Sequence, residues 1–278
     1  MTGKKPDKIG GPDVLHGATE GVRTGMEFFR SVAFNTLPSV VFGKNEQPEG
    51  QGAPVLVIQG FGLHDFTTWT MRRHLDGLGH DSYDPDIGFN LGVRGHLLDR
   101  MESRLEEIAE RNAGRKVSII GHSLGGIQGL LLSYRHPDLV ERLITMGSPF
   151  GDAQRKGGTN RLIYGAYEFL NPNDDNLVGE LAEHMSGGRP HAAVTSIYSF
   201  SDGVIAPDAA VNPWGDAGEH RAENIEVVGS HCGMIVNLDI WTILGDRLST
   251  PHENWRPFKD EIKAQDPEMA AALVPART

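Results

Sequence analysis

Residues 116–130 read Lys-Val-Ser-Ile-Ile-Gly-His-Ser-Leu-Gly-Gly-Ile-Gln-Gly-Leu, and this stretch decides the fold. The apolar run at 117–120 stops at Gly121-His122-Ser123-Leu124-Gly125. A helix-forming segment follows at once, with Leu124, Ile127, Leu130 and Leu131 at helical spacing. A strand that reverses into a helix within a few residues holds its central residue in strained backbone geometry and pushes that side chain out at the carboxyl edge of the sheet. Glycines at 121 and 125 remove the side chains that would collide there, which leaves Ser123 as an exposed hydroxyl. The pattern is that of a nucleophile elbow.

On either side of the elbow, strand and helix patterns alternate. Upstream, Val55-Leu-Val-Ile58 is a continuous aliphatic run between Pro54 and Gly60, as expected of a central parallel strand buried on both faces. Residues 67–78 read as a helix and residues 83–92, with Pro85, Gly88 and Gly92, as a loop. Residues 95–112 form the crossover helix into the elbow strand: Leu98, Met101, Leu105 and Ile108 mark one face, Glu107 precedes Arg111 by one turn, and Gly114 stops it. Downstream, residues 139–146 and 193–200 read as strands ending at Gly147-Ser-Pro-Phe150 and Ser201-Asp-Gly203. A last strand at 224–229 leads to His231, and residues 234–248 make a closing helix. This alternation predicts an α/β fold with a parallel sheet, in which the strand ends share one edge.

Four segments in this order, Pro54-Val-Leu-Val-Ile-Gln-Gly-Phe-Gly62, Gly121-His-Ser-Leu-Gly-Gly126, Ser201-Asp-Gly-Val204 and Gly229-Ser-His-Cys-Gly-Met234, resemble the α/β-hydrolases, most closely bacterial serine lipases and esterases. The resemblance covers residues 54–150 and 195–248. It implies the α/β-hydrolase fold, a mostly parallel central sheet flanked by helices with a small cap insertion. It also implies a Ser-Asp-His order along the chain, met here by Ser123, Asp202 and His231. A carboxylate bonded to one imidazole nitrogen fixes the tautomer, and it stabilises the imidazolium as the other nitrogen takes the serine proton. Asp152, beyond the other strand end, is the competing acid. The backbone N–H groups of Phe61 and Leu124 are the oxyanion donors that the family pattern assigns. Many relatives begin the first of these loops with His-Gly, whereas this chain has Gln59-Gly60, which keeps the backbone donor and changes the side chain.

Composition narrows the partners. The 278 residues carry 26 Lys and Arg against 37 Asp and Glu, a formal charge of −11, so neither nucleic acid nor an anionic membrane surface meets a basic face. A single cysteine, Cys232, has no internal disulfide partner and reads as a packed thiol rather than a nucleophile. His64, His74, His80 and His96 match no metal-ligand spacing and read as surface or satisfied core residues. No apolar run approaches the ~18 residues of a membrane span. The expectation is therefore a soluble, cytoplasmic, cofactor-independent and metal-free protein acting on a small ester or acyl substrate.

The expected organisation is a lead-in with a docking helix at 1–52, a core at 53–150 and 193–250, a cap at 151–192 and a tail at 251–278. Residues 14–41 carry clustered apolar side chains interrupted by Arg23, Glu27, Arg30 and Asn35, the pattern of an amphipathic helix docked on the core rather than of a signal sequence. The expected function is hydrolysis of a carboxylic ester through an acyl-enzyme. An acyltransferase or a lactone or thioester hydrolase would use the same triad, and a ligand-binding module would retain the pocket without turnover.

Overall fold

A computed structural model describes residues 16–17, 19–24, 52–92, 95–150, 158–171, 175–217 and 219–258. Six strands form one sheet: β1 (Pro54–Ile58), β2 (Asp81–Tyr83), β3 (Val117–His122), β4 (Val140–Met146), β5 (Ala193–Ser199) and β6 (Ala222–Val227). Their order is β2-β1-β3-β4-β5-β6, and every pairing is parallel. Parallel neighbours need crossovers, and these are helical: α1 (Trp69–Gly77), α2 (Gly95–Arg111), α3 (Leu124–Arg135), then α4 (Arg161–Leu170) and α5 (Asp175–Ser186) between β4 and β5. The closing helix α6 spans Leu238–Ser249.

Both sheet faces are covered, so β1 is apolar at every position and β3 carries Val117, Ile119 and Ile120 around a buried Ser118. Leu56, Ile58 and Ile119 point to the face packed by Met101, Leu105 and Ile108 of α2 and Leu130 and Leu132 of α3. Val55, Val57 and Ile120 point the other way, onto Met71 and Leu75 of α1 and Ile240, Trp241 and Leu244 of α6. Alternate residues of one strand thus serve two cores, which is why β1 reads as a continuous aliphatic run, and β3 as one broken only by Ser118 before Gly121, rather than as alternating ones.

Two local features differ from the sequence reading. Residues 81–83, too short and too polar to show a strand period, form the edge strand β2 beside β1. The closing helix is broken: residues 232–236 form a 3₁₀ turn, and α6 starts only after Asn237, whose side chain accepts from the amides of Asp239 and Ile240 at 2.9 and 3.4 Å.

The strand order places the site. After β1 the chain turns outward to β2, then crosses back to β3 on the other side of β1. The β1 and β3 carboxyl ends therefore lead their loops apart and open a crevice between them, the position where open α/β sheets bind ligands. Gly60, just after β1, and Ser123, just after β3, lie against each other at this position.

Candidate active site

Ser123 stands between β3 and α3 with φ 52° and ψ −120°, outside the regions an L-residue prefers. The glycines around it are required by close approach. A Cβ on Gly121 would lie 2.4 Å from Gly126 Cα, and one on Gly125 would lie 2.3 Å from the Ile58 carbonyl oxygen. The Ser123 amide donates to Met146 O at 2.8 Å, which ties the elbow to the end of β4.

The other two expected triad residues meet each other. Asp202 Oδ2 lies 2.7 Å from His231 Nδ1, and both side chains are almost wholly buried. Asp202 Oδ1 accepts from the amides of Val204 and Ile205 at 2.7 and 2.8 Å, so both carboxylate oxygens are engaged. The pair sits over Gly147, where φ is +57° and an added Cβ would lie 3.0 Å from both Asp202 Oδ2 and His231 Nδ1. Burial alone pushes the His231 imidazole down. The Asp202 charge, its hydrogen bond and the charge of Glu20 outweigh burial and leave it raised above the ordinary histidine value. Asp152 lies outside the described residues.

His122, directly before Ser123, links the elbow to the base. Its ring lies 4.8 Å from that of His231, and its Nε2 donates to His231 O at 2.9 Å, which leaves Nδ1 as the unprotonated nitrogen. Burial, aided by the His231 charge, pushes the His122 pKa down to about 3, so it stays neutral where His231 titrates.

Phe61, expected as an oxyanion donor, sits on the loop after β1. A Cβ on Gly60 would lie 2.8 Å from His122 Nδ1 and 3.1 Å from Ser123 Cβ, so this loop runs hard against the elbow. Leu124, the other expected donor, is the first residue of α3. The N-cap side chain of Ser123 makes no bond to the helix, and the first amides of a helix have no intrahelical acceptor. The Gln59 side chain that replaces the family's His turns away from the site: Nε2 donates to Asp65 Oδ1 at 2.6 Å and Gly88 O at 2.9 Å.

That glutamine belongs to a buried polar brace which the sequence analysis did not identify. Asn90 Nδ2 donates to Gln59 O and to Gln128 Oε1 at 2.7 and 2.8 Å. Gly62 N donates to Asn90 O at 2.7 Å, and Asp65 Oδ2 accepts from Gly88 N at 2.7 Å. Burial raises the Asp65 pKa against the pull of these bonds. The brace fixes the loop carrying Phe61 from behind. Its one sequence signal is Gln128, a polar residue amid the apolar positions of α3.

The crevice opens into an apolar pocket whose described lining includes Phe61, Leu124, Ile127, Ile163, Tyr167 and Val204, and no charged side chain stands among those described residues. Helix α4 supplies one side. The Tyr167 ring meets Phe61 edge-on at 5.4 Å, and Asn171 Nδ2 donates to Leu91 O at 2.9 Å. The preceding segment is stitched to the loop after Asp202 by Asn160 N to Val204 O at 2.7 Å and Ala206 N to Gly158 O at 2.6 Å. Helix α5 does something different. Leu181 joins the core that α2 and α3 form, and Arg135 of α3 binds the Glu180 carboxylate through two bonds of 2.7 Å. Within 151–192, then, α4 faces the pocket while α5 flanks the sheet.

Two of the other histidines have structural roles. His64 caps a 3₁₀ turn by accepting from Phe66 N at 3.2 Å, and His74 stacks on Trp241 with ring centroids 4.8 Å apart. Among the described residues, no group of three or more His, Cys, Asp or Glu side chains could hold a metal ion, and no helix is long and apolar enough to cross a membrane.

Residues 97–172 match the family model of the alpha/beta hydrolase fold. Over 113 residues the chain is 34% identical to 2-hydroxy-6-oxo-6-(2'-aminophenyl)hexa-2,4-dienoic acid hydrolase of Metapseudomonas resinovorans, covering 36% of this chain and 37% of that protein. The chain spans between 14% and 37% of the length of the curated relatives it matches. Among solved structures it is similar to carboxyl esterase 2 of Tuber melanosporum, with TM-score 0.53 and 12% identity over 72% of this chain and 77% of that one. It is also similar to the monoacylglycerol lipase of Paleococcus ferrophilus, with TM-score 0.51 and 15% identity over 74% and 96%.

Proposed function

We propose that the site of this chain, which has the α/β-hydrolase fold, is that of a serine hydrolase cleaving a carboxylic ester with an apolar acyl group. The observation that carries the reading is the Asp202–His231 pair, 2.7 Å apart, at the same sheet edge as a serine held at φ 52° on the wall of an apolar pocket. Strain of that kind persists only where the surrounding structure over-determines it.

Ser123 Oγ attacks the ester carbonyl while His231 Nε2 takes its proton, and Asp202 holds Nδ1–H and stabilises the imidazolium. The carbonyl oxygen gathers negative charge and is met by the Phe61 and Leu124 N–H groups. His231 returns the proton to the leaving alkoxide, the acyl group remains on Ser123, and water, activated by the same base, releases the acid. The apolar side chains among the described lining residues favour an apolar acyl chain over a polar one, since a charged group loses its hydration against them.

The test is incubation with a chromogenic short-chain ester, with and without an alcohol acceptor, beside covalent labelling by a fluorophosphonate. Wild-type protein should turn over the ester to free acid and label once. Ser123→Ala should fold normally and lose both, with turnover down by several orders of magnitude. Labelling that survives the substitution would move the nucleophile elsewhere, and dominant transfer to the alcohol would make the protein an acyltransferase.

A further inference from the structure

Glu20 lies far from the triad in sequence, and nothing in the motifs around Ser123, Asp202 and His231 accounts for it. It sits on a helical stretch within residues 16–24 and is 9% exposed. Its Oε1 accepts from the amide of Cys232, the residue after His231, at 2.8 Å. Its Oε2 accepts from the amide of Gly203, the residue after Asp202, at 3.2 Å. One carboxylate thus bridges the two loops that deliver the acid and the base.

The neighbouring contacts repeat the bridge. Arg23 donates to Ser201 O on the acid side, and Thr24 Oγ1 lies 3.2 Å from Ser230 Oγ on the base side. The fit at Gly203 is close: an added Cβ would lie 2.6 Å from Gly17 N and from His16 O. A buried carboxylate needs partners, and here the partners are two backbone amides whose positions set the directions of Asp202 and His231.

We propose that Glu20 is a positioning residue of the triad: its carboxylate clamps the acid loop to the base loop and so holds Asp202 in register with His231. The proposal rests on the triad reading above, but the clamp itself has consequences that do not depend on turnover. His231 is faced by Asp202 from the loop after β5, by the neutral His122 ring from the end of β3, and by Glu20 from the N-terminal helix, with Arg23 Nη2 4.0 Å behind Glu20. Glu20 therefore adds a second negative charge on the base, and removing it favours the neutral imidazole. In Glu20→Gln the amide also turns an NH2 group toward one of the two backbone donors, so one loop loses its acceptor.

The experiment compares the full chain as wild type, Glu20→Gln and Glu20→Asp, reading the His231 ring titration by NMR, amide hydrogen exchange at 201–205 and 229–233, thermal stability, and ester turnover. In Glu20→Gln the His231 titration should move down by about half a pH unit, as expected for losing one nearby charge. Exchange in the two loops should quicken, and kcat should fall about tenfold with KM nearly unchanged, as for a group felt mainly in the transition state. Glu20→Asp, which keeps the charge, should restore most of the titration. A Glu20→Gln protein with wild-type titration and wild-type loop exchange overturns the proposal, as does a lower melting temperature with the His231 titration unmoved. If wild-type protein neither labels nor hydrolyses esters, the function proposed above fails while titration and exchange still decide the clamp.

Discussion

Asp202 Oδ2 and His231 Nδ1 stand 2.7 Å apart with the second carboxylate oxygen tied to two backbone amides, so the acid can rotate toward nothing but the base. His231 must be neutral to accept the serine proton, and its pKa lies above the ordinary histidine value. Activity should therefore rise with pH along a limb displaced upward from about 6.5. Asp202→Asn removes the largest influence holding that pKa up, so the limb should move to lower pH while kcat drops by roughly ten-thousand-fold at neutral pH. A pH profile of kcat/KM on one ester, with circular dichroism to confirm folding, checks both, and an Asp202→Asn enzyme of near wild-type rate would refute the pairing's role.

Gly60 leaves no room for a side chain between the first loop and the elbow. Gly60→Val should displace the Phe61 amide and lower kcat by about a hundredfold, with a smaller rise in KM, because an oxyanion donor acts mainly in the transition state. Gly60→Ala should move the same way by less. Steady-state kinetics separate the two parameters, and an effect confined to KM would place the donor elsewhere.

Ile127 lies on the second turn of α3, where its side chain forms part of the pocket wall. Ile127→Trp should shorten the usable chain, so that kcat/KM for octanoate esters falls at least about tenfold relative to acetate esters. A chain-length series of chromogenic esters measures this. Equal loss across the series would mean that the acyl group lies elsewhere.

Arg247 and Glu223 test the frame away from the site. Glu223 is buried, accepts from Thr195 Oγ1 at 2.8 Å and from Phe258 N at 2.7 Å, and is held to the 2%-exposed Arg247 at 3.3 Å. Burial raises its pKa, and Arg247 is the chief force lowering it. Arg247→Met leaves a buried carboxylate without its cation and should cost about 3–5 kcal/mol at neutral pH. The folded variant then binds a proton the unfolded chain has released, so its stability should fall as pH rises from about 4.5 to 8. Denaturant melts at pH 5 and pH 8 check the sign, and an equal loss at both would mean that the carboxylate is not stranded.

The residues of the elbow carried much of this in linear form. Strain at Ser123 and the close approach at Gly121 and Gly125 are consequences of local chemistry, because a strand reversing into a helix admits few residues and those residues are visible in a row; the order of serine, acid and base came instead from the resemblance to the α/β-hydrolases. The central strands were legible for a similar reason: burial on both faces favours apolar residues along the whole of β1 and at 117, 119 and 120 of β3. The short polar β2 and the break at Asn237 were not, since an edge strand of three residues has no period to read, and an asparagine caps or continues a helix according to the turn that precedes it.

What joined the parts was decided only in three dimensions. Asp202 and Asp152 both follow a strand that ends on the active-site edge, and the 2.7 Å bond from Asp202 to His231 depends on the parallel register of β5 with β6 and on the clearance above Gly147. The brace of Gln59, Asp65, Asn90 and Gln128 and the bridge from Glu20 to Gly203 and Cys232 link residues up to 212 positions apart. Local pattern determines which backbone states a segment can adopt. A buried hydrogen bond between distant segments depends instead on where the whole sheet carries their ends.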